Sequence, residues 1–135
     1  MNPATVLSID PGRMKCGVAI VSVNRPIRRE IIPSDSFIPL VVQMLDEHSI
    51  DVILIGNGTG SDELRKSVEA AARGIRVIVV EESHSSERAR IRYFKENPPR
   101  GIKRLIPRGL LFPDAPYDDL VAVILAEDFF KSLNG

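Results

Sequence analysis

The stretch ATVLSIDPGRMKCGVAIV, residues 4–21, decides how the rest of the chain is read. Val6-Leu7-Ser8-Ile9 is too short and too β-branched for a helix, and reads as a buried strand. The strand ends on a carboxylate, Asp10, followed at once by Pro11-Gly12. Proline removes a ladder donor and glycine permits positive φ, so the chain turns there. A short basic turn carrying Arg13 and Lys15 leads into Gly17-Val18-Ala19-Ile20-Val21, a second strand. So short a link implies an antiparallel hairpin. Asp10 is therefore placed at the end of a central strand, where an aspartate is either a turn former or a functional acid.

Downstream, Arg28–Ile32 reads as a third strand closed by Pro33. From Ser36 to about Glu47, Phe37, Leu40, Val41, Met44 and Leu45 fall on one helical face, with Pro39 in the first turn. Asp51–Ile55 is an apolar strand that runs into the glycine loop Gly56-Asn57-Gly58-Thr59-Gly60-Ser61. A helix follows from about Asp62, with acids in its first turn and Gly74 just past its end. Arg76–Val80 is a further apolar strand, ending at Glu81-Glu82-Ser83-His84. Helices are expected over about 87–95 and 120–133, the latter apolar nearly all round and so buried. Residues 97–117, with five prolines, are too long for an idle connector; they read as a substrate-covering loop, a partner-binding arm or a disordered segment, with Ile102, Leu105, Ile106, Leu110, Leu111 and Phe112 arguing against full disorder.

The order β-β-β-α-β-α-β-α-α predicts an antiparallel meander extended by two parallel strands, with helices on both faces. This is an α/β architecture of the ribonuclease H-like kind: a five-stranded mixed sheet flanked by helices. At 135 residues, one domain spanning 1–135 is expected. The first and last strands are expected side by side and parallel, so that Asp10 and Glu82 meet at one sheet edge. Asp118-Asp119 opens the last helix and is expected at the same place. Gathering so many carboxylates is costly unless a cation joins them, and hard divalent ions with oxygen ligands serve that purpose. Paired Mg2+ or Mn2+ ions activate water for phosphodiester hydrolysis.

Lys plus Arg and Asp plus Glu are balanced at 18 each, so global charge makes no case for a polyanionic partner. Local charge does. Residues 83–110 hold eight basic residues (Arg88, Arg90, Arg92, Lys95, Arg100, Lys103, Arg104 and Arg108) against Glu87 and Glu96. Arg88, Arg92 and Lys95 share one helical face, which is either a nucleic-acid contact or a solvated face. The single cysteine, Cys16, excludes an internal disulfide and is expected to be a small buried apolar residue. No apolar run reaches a membrane span and residues 1–20 lack a signal-peptide layout, so a cytoplasmic protein is expected.

Three motifs carry a family resemblance. Ile9-Asp10-Pro11-Gly12 with Gly17-Val18-Ala19 resembles the first motif of the RuvC and YqgF nucleases. Val80-Glu81-Glu82-Ser83-His84-Ser85-Ser86 resembles the V-D-E-R-L-T-T motif of YqgF, with Glu82 on its acidic position, and Asp118-Asp119 before Ala122-Val123-Ile124-Leu125 resembles the final helix motif. Ile55-Gly56-Asn57-Gly58-Thr59 departs from that pattern and resembles the I-G-N-G-T loop of Tex transcription accessory proteins, whose corresponding domain is regarded as catalytically degenerate. The resemblance implies a divalent-metal-dependent endonuclease: a Holliday junction resolvase or a nuclease processing precursor ribosomal RNA. Asp10, Glu82 and Asp118 would ligate Mg2+ or Mn2+, with Asp119 a fourth catalytic acid. Arg13, Lys15, Gly58, Arg88, Arg92, Lys95, Arg100, Lys103 and Arg104 would contact structured RNA or branched DNA, in a monomer or homodimer. The rival expectation is a catalytically inactive nucleic-acid-binding module of the Tex type. His84 is either a proton-transfer residue or a hydrogen-bonded loop histidine.

Overall fold

The computed structural model describes residues 3–58, 61–82, 85–101, 105 and 117–134. Its five strands are β1 (Thr5–Asp10), β2 (Lys15–Ser22), β3 (Pro26–Pro33), β4 (Val52–Gly56) and β5 (Arg76–Val80). Its helices are α1 (Phe37–Glu47), α2 (Ser61–Ala71), α3 (Ser85–Glu96) and α4 (Asp118–Asn134), with a 3-10 turn, Ser34–Ser36, leading into α1. The expected element order is present. Boundaries shift by a few residues: β3 extends over its flanking prolines, which an edge strand tolerates.

The sheet order is β3-β2-β1-β4-β5. β1, β2 and β3 form the antiparallel meander, while β4 and β5 add in parallel. One expectation is corrected here: β1 and β5 are not neighbours. The β4 strand, buried at every residue, lies between them, because a right-handed crossover from the meander through α1 delivers the next strand to the free side of β1.

Strand alternation divides the core into two layers. Leu7, Ile9, Val18, Ile20, Ile53 and Ile55 face α1 and α2, meeting Phe37, Val41, Met44 and Val68. Cys16 belongs to this layer and is buried, as expected. Val6, Ala19, Val21, Val52 and Leu54 face α4, meeting Ala122, Val123, Ala126 and Phe130. A second side of α4, Leu120, Val121, Ile124 and Leu125, packs with Ala89 of α3. That double contact is why α4 is apolar nearly all round. With each large side chain contributing roughly 1.5–3 kcal/mol on burial, this helix is a major fastening of the fold. Small residues at Ala19, Ala122 and Ala126 let it lie close against β2.

Candidate active site

Asp10 is the last residue of β1 and lies on the face that carries Val6, the face covered by α4. Glu82 is two residues past the end of β5, with the carboxyl end of β4 between them. What allows the two acids to meet is that β4 ends without a side chain. A Cβ on Gly56 would lie 2.2 Å from Glu82 Oε1 and 2.8 Å from its Cγ and Cδ. A Cβ on Gly58 would lie 2.8 Å from Glu82 Oε2. The Glu82 side chain thus occupies the space that side chains at 56 and 58 would fill, and it reaches over β4 to hydrogen-bond with Asp10. Its backbone is fixed from both sides. The Glu82 amide donates to Asn57 Oδ1 at 3.1 Å, and the Glu82 carbonyl accepts from Ser85 N at 2.9 Å and Ser85 Oγ at 2.7 Å.

The second approach comes from α4. Asp10 pairs with Gly17 across the β1–β2 ladder. A Cβ on Gly17 would lie 2.0 Å from the Asp118 carbonyl oxygen and 2.8 Å from Asp119 N, so the first turn of α4 rests directly on the glycine opposite Asp10. The two acids at this helix start diverge. Asp118 Oδ2 is 3.4 Å from Lys15 Nζ, and its charge acts on Asp10. Asp119 Oδ2 is 3.3 Å from Arg29 Nε of β3, while its Oδ1 accepts from Leu120 N at 3.0 Å. Arg29 also pairs with Glu96 at the end of α3, tying that helix to the same corner.

The electrostatic result is concentrated on one group. The Asp10 carboxyl is pushed up from 3.8 to about 9, first by burial, then by its hydrogen bond with Glu82, then by the negative charges of Glu82 and Asp118. Glu82 Oε1 is buried and has no hydrogen-bond partner. A protonated carboxylic acid and an orphaned carboxylate oxygen, packed together, are what an acidic cluster adopts without a positive charge. The donor set is all oxygen, the chemistry that suits a hard divalent cation. Among the described residues, no three acids, histidines or cysteines stand ready to hold an ion at once. Asp10 and Glu82 are together, and Asp118 is engaged by Lys15.

The residues expected to contact nucleic acid fall into three groups. Arg13 and Lys15 lie exposed at the β1–β2 turn, Lys15 against Asp118 and Arg13 on the side of the turn that faces Glu63 and Leu64 of α2. Gly58 faces Glu82, whose carboxylate takes the space a side chain there would fill. Arg88 and Arg92 are ion-paired to α4 at the surface: Arg88 makes two contacts with Asp128, at 2.6 and 2.9 Å, and Arg92 bonds Glu127 at 2.7 Å. Lys95 and Arg100 are exposed. Lys103, Arg104 and His84, with most of the 97–117 stretch, lie outside the described residues. Gly17, Gly56, Asn57 and Ser85 were not singled out as site residues from the sequence. The signal for Gly17 was its place opposite Asp10 in the hairpin.

No family model matches the chain, and no curated protein does. Among solved structures, that of Thermus thermophilus RuvC aligns with a TM-score of 0.65 at 15% identity, over 96% of this chain and 96% of that one. The fold is that of RuvC. A second structure, T. thermophilus RuvC in complex with a Holliday junction substrate, aligns with a TM-score of 0.64 at 15% identity, over 98% of this chain and 96% of the other. The ribonuclease H-like expectation therefore holds for the RuvC fold over nearly the whole chain. No helix among the described residues is long and apolar enough to cross a membrane.

Proposed function

We propose that this chain is a divalent-metal-dependent endonuclease that hydrolyses a phosphodiester in branched nucleic acid, with four-way junction DNA the preferred substrate and structured precursor ribosomal RNA the alternative. The reading rests on one observation above the others: on a RuvC fold, Glu82 crosses the glycine end of β4 to reach Asp10 while the start of α4 is seated opposite Asp10 on Gly17.

Asp10, Glu82 and Asp118 would hold Mg2+ or Mn2+ there. Such an ion supplies water activation and stabilises charge on the leaving oxygen. The chain's own residues do the positioning. Gly56 and Gly58 clear the path for Glu82, and Asn57 and Ser85 fix its backbone. Lys15 shields Asp118, and Arg29 holds Asp119 as a supporting acid at the edge of the cluster. In the hydrolysis, oxygen from water bonds to phosphorus, one phosphorus–oxygen ester bond breaks, and the proton from water ends on the departing alkoxide. Arg13 and Lys15, both exposed, would meet flanking phosphates.

The test is cleavage of a four-way DNA junction and of a structured RNA, in Mg2+ and in Mn2+, by the wild type and by Asp10→Asn. Cleavage by the wild type alone, with a rise of its melting temperature in Mn2+, is expected. The Tex-like glycine loop gives the second reading, a module that binds without cutting. A wild type that cuts neither substrate and gains no stability from Mn2+, yet binds in a salt-sensitive way, decides for that module.

A further inference from the structure

The turn between β1 and β2 presents an apolar side chain where the proposed chemistry needs none. Met14 is the most exposed large apolar residue among those described, at 86%. It stands between two exposed cations, Arg13 and Lys15, and Lys15 touches Asp118 of the acidic cluster. The turn beneath it is rigid. Ser34 N donates to the Met14 carbonyl at 2.9 Å, Ser34 Oγ donates to the Gly12 carbonyl at 2.9 Å, and Cys16 Sγ lies 3.5 Å from the same hydroxyl. One serine at the end of β3 thus pins the turn on both sides of Met14, leaving only the side chain free. Beside the turn lies a cavity of about 370 Å3 bounded by Pro11, Gly12, Arg13, Ser34, Glu63 and Leu64.

A lone exposed apolar residue is ordinary on a protein surface. An unbranched apolar chain on a pinned turn, flanked by phosphate-seeking cations and adjacent in sequence to the lysine that pairs with Asp118, has the makings of a wedge. Apolar side chains inserted between base steps unstack them and bend the nucleic acid, and methionine is one of the residues that does so. We infer that Met14 inserts into the base stack of the substrate next to the phosphate held at the carboxylates, with Arg13 and Lys15 gripping the backbone on either side. The inference rests on the nuclease reading and deepens it. It makes Met14 a positioning residue, because the kink turns the target phosphate toward the acids. A junction, already open at its crossing point, yields to such a wedge more readily than continuous duplex.

The experiment uses a four-way DNA junction carrying 2-aminopurine at successive positions near the crossing, with the full-length chain. Fluorescence of that base rises on unstacking. Asp10→Asn serves as the background for fluorescence so that cleavage does not intrude, and wild-type Asp10 is used for rates. Bound protein is expected to raise the signal at one position about threefold or more, Met14→Ala to remove most of the rise, and Met14→Leu to restore it. Cleavage by Met14→Ala should fall roughly tenfold or more with junction affinity changed by less than about threefold, and Met14→Leu should recover most of the rate. Identical fluorescence profiles with and without Met14, on a junction that is bound and cut, would overturn the wedge alone. Absence of junction binding by the wild type would overturn both the wedge and the nuclease reading beneath it.

Discussion

Asp10→Asn should make the metal-free protein more stable. Between pH 3.8 and about 9 the folded chain holds a proton on Asp10 that the unfolded chain has released. Stability therefore falls through that window as pH rises, by up to about 1.4 kcal/mol per pH unit from this group, and levels off above it. At pH 7 about three units of the window have been crossed, which sets a ceiling of about 4 kcal/mol on the cost of keeping Asp10 neutral beside Glu82. Asparagine carries no ionisable proton and still donates a hydrogen bond to Glu82. With relaxation of the neighbours, a gain of about 2–3 kcal/mol at pH 7 is expected, a rise in melting temperature on the order of 10 °C for a chain of this size. The assay is urea unfolding of wild type and mutant in chelator at pH 5, 6, 7 and 8. The gap between the curves should widen with each step. Mn2+ should then stabilise the wild type more than the mutant and narrow the gap. A mutant less stable than the wild type, or a gap that stays constant with pH, would refute the view that Asp10 is held protonated by burial and by Glu82.

The two glycines of the site should respond differently to a methyl group. Gly17→Ala drives Cβ into the Asp118 backbone, which cannot swing aside, and should cost about 1–3 kcal/mol in urea unfolding as α4 is lifted from β2. Gly56→Ala meets the flexible end of Glu82 instead, so it should cost under about 1 kcal/mol, flatten the pH dependence of stability and abolish cleavage as Glu82 swings away. Replacing Arg88 and Arg92 together by alanine should lower stability by roughly 1 kcal/mol and leave the salt dependence of nucleic-acid binding unchanged, since both cations are occupied by α4; a slope reduced by about two units would show phosphate contacts instead.

Much of this architecture was open to reading because burial writes itself into composition. The runs at Val6–Ile9 and Asp51–Ile55 read as interior strands and are buried, and the apolar periphery of α4 belongs to a helix covered on two sides; Arg76–Val80 reads the same way yet is a half-exposed strand at the sheet edge. Asp10, Glu82 and Asp118 were visible as acids at element ends. The position of β4 between β1 and β5 was misread, because strand order depends on which edge a crossover reaches, and chain order alone does not carry that. Gly56 and Gly17 were legible only as turn or strand glycines. An absent side chain acquires meaning from whatever fills its place, here a carboxylate from β5 and a backbone from α4. The ion pairs of Arg88 and Arg92 were hidden for a similar reason: their partners are 40 and 35 residues away along the chain.

The seating of α4 on Gly17 also bears on the order in which this molecule acquires its cleft. Asp10 and Asp118 are separated by more than a hundred residues, so bringing them together carries one of the larger loop-closure penalties available to the chain. The hairpin of β1 and β2 closes locally and early by comparison. A partly folded form with its sheet in place and α4 undocked would therefore possess Asp10 and Glu82 but lack Asp118. Competence to assemble the acidic cluster is then a property of the last long-range contact, and it would disappear at the first sub-global opening of α4 while amides of the central strands remain protected from exchange.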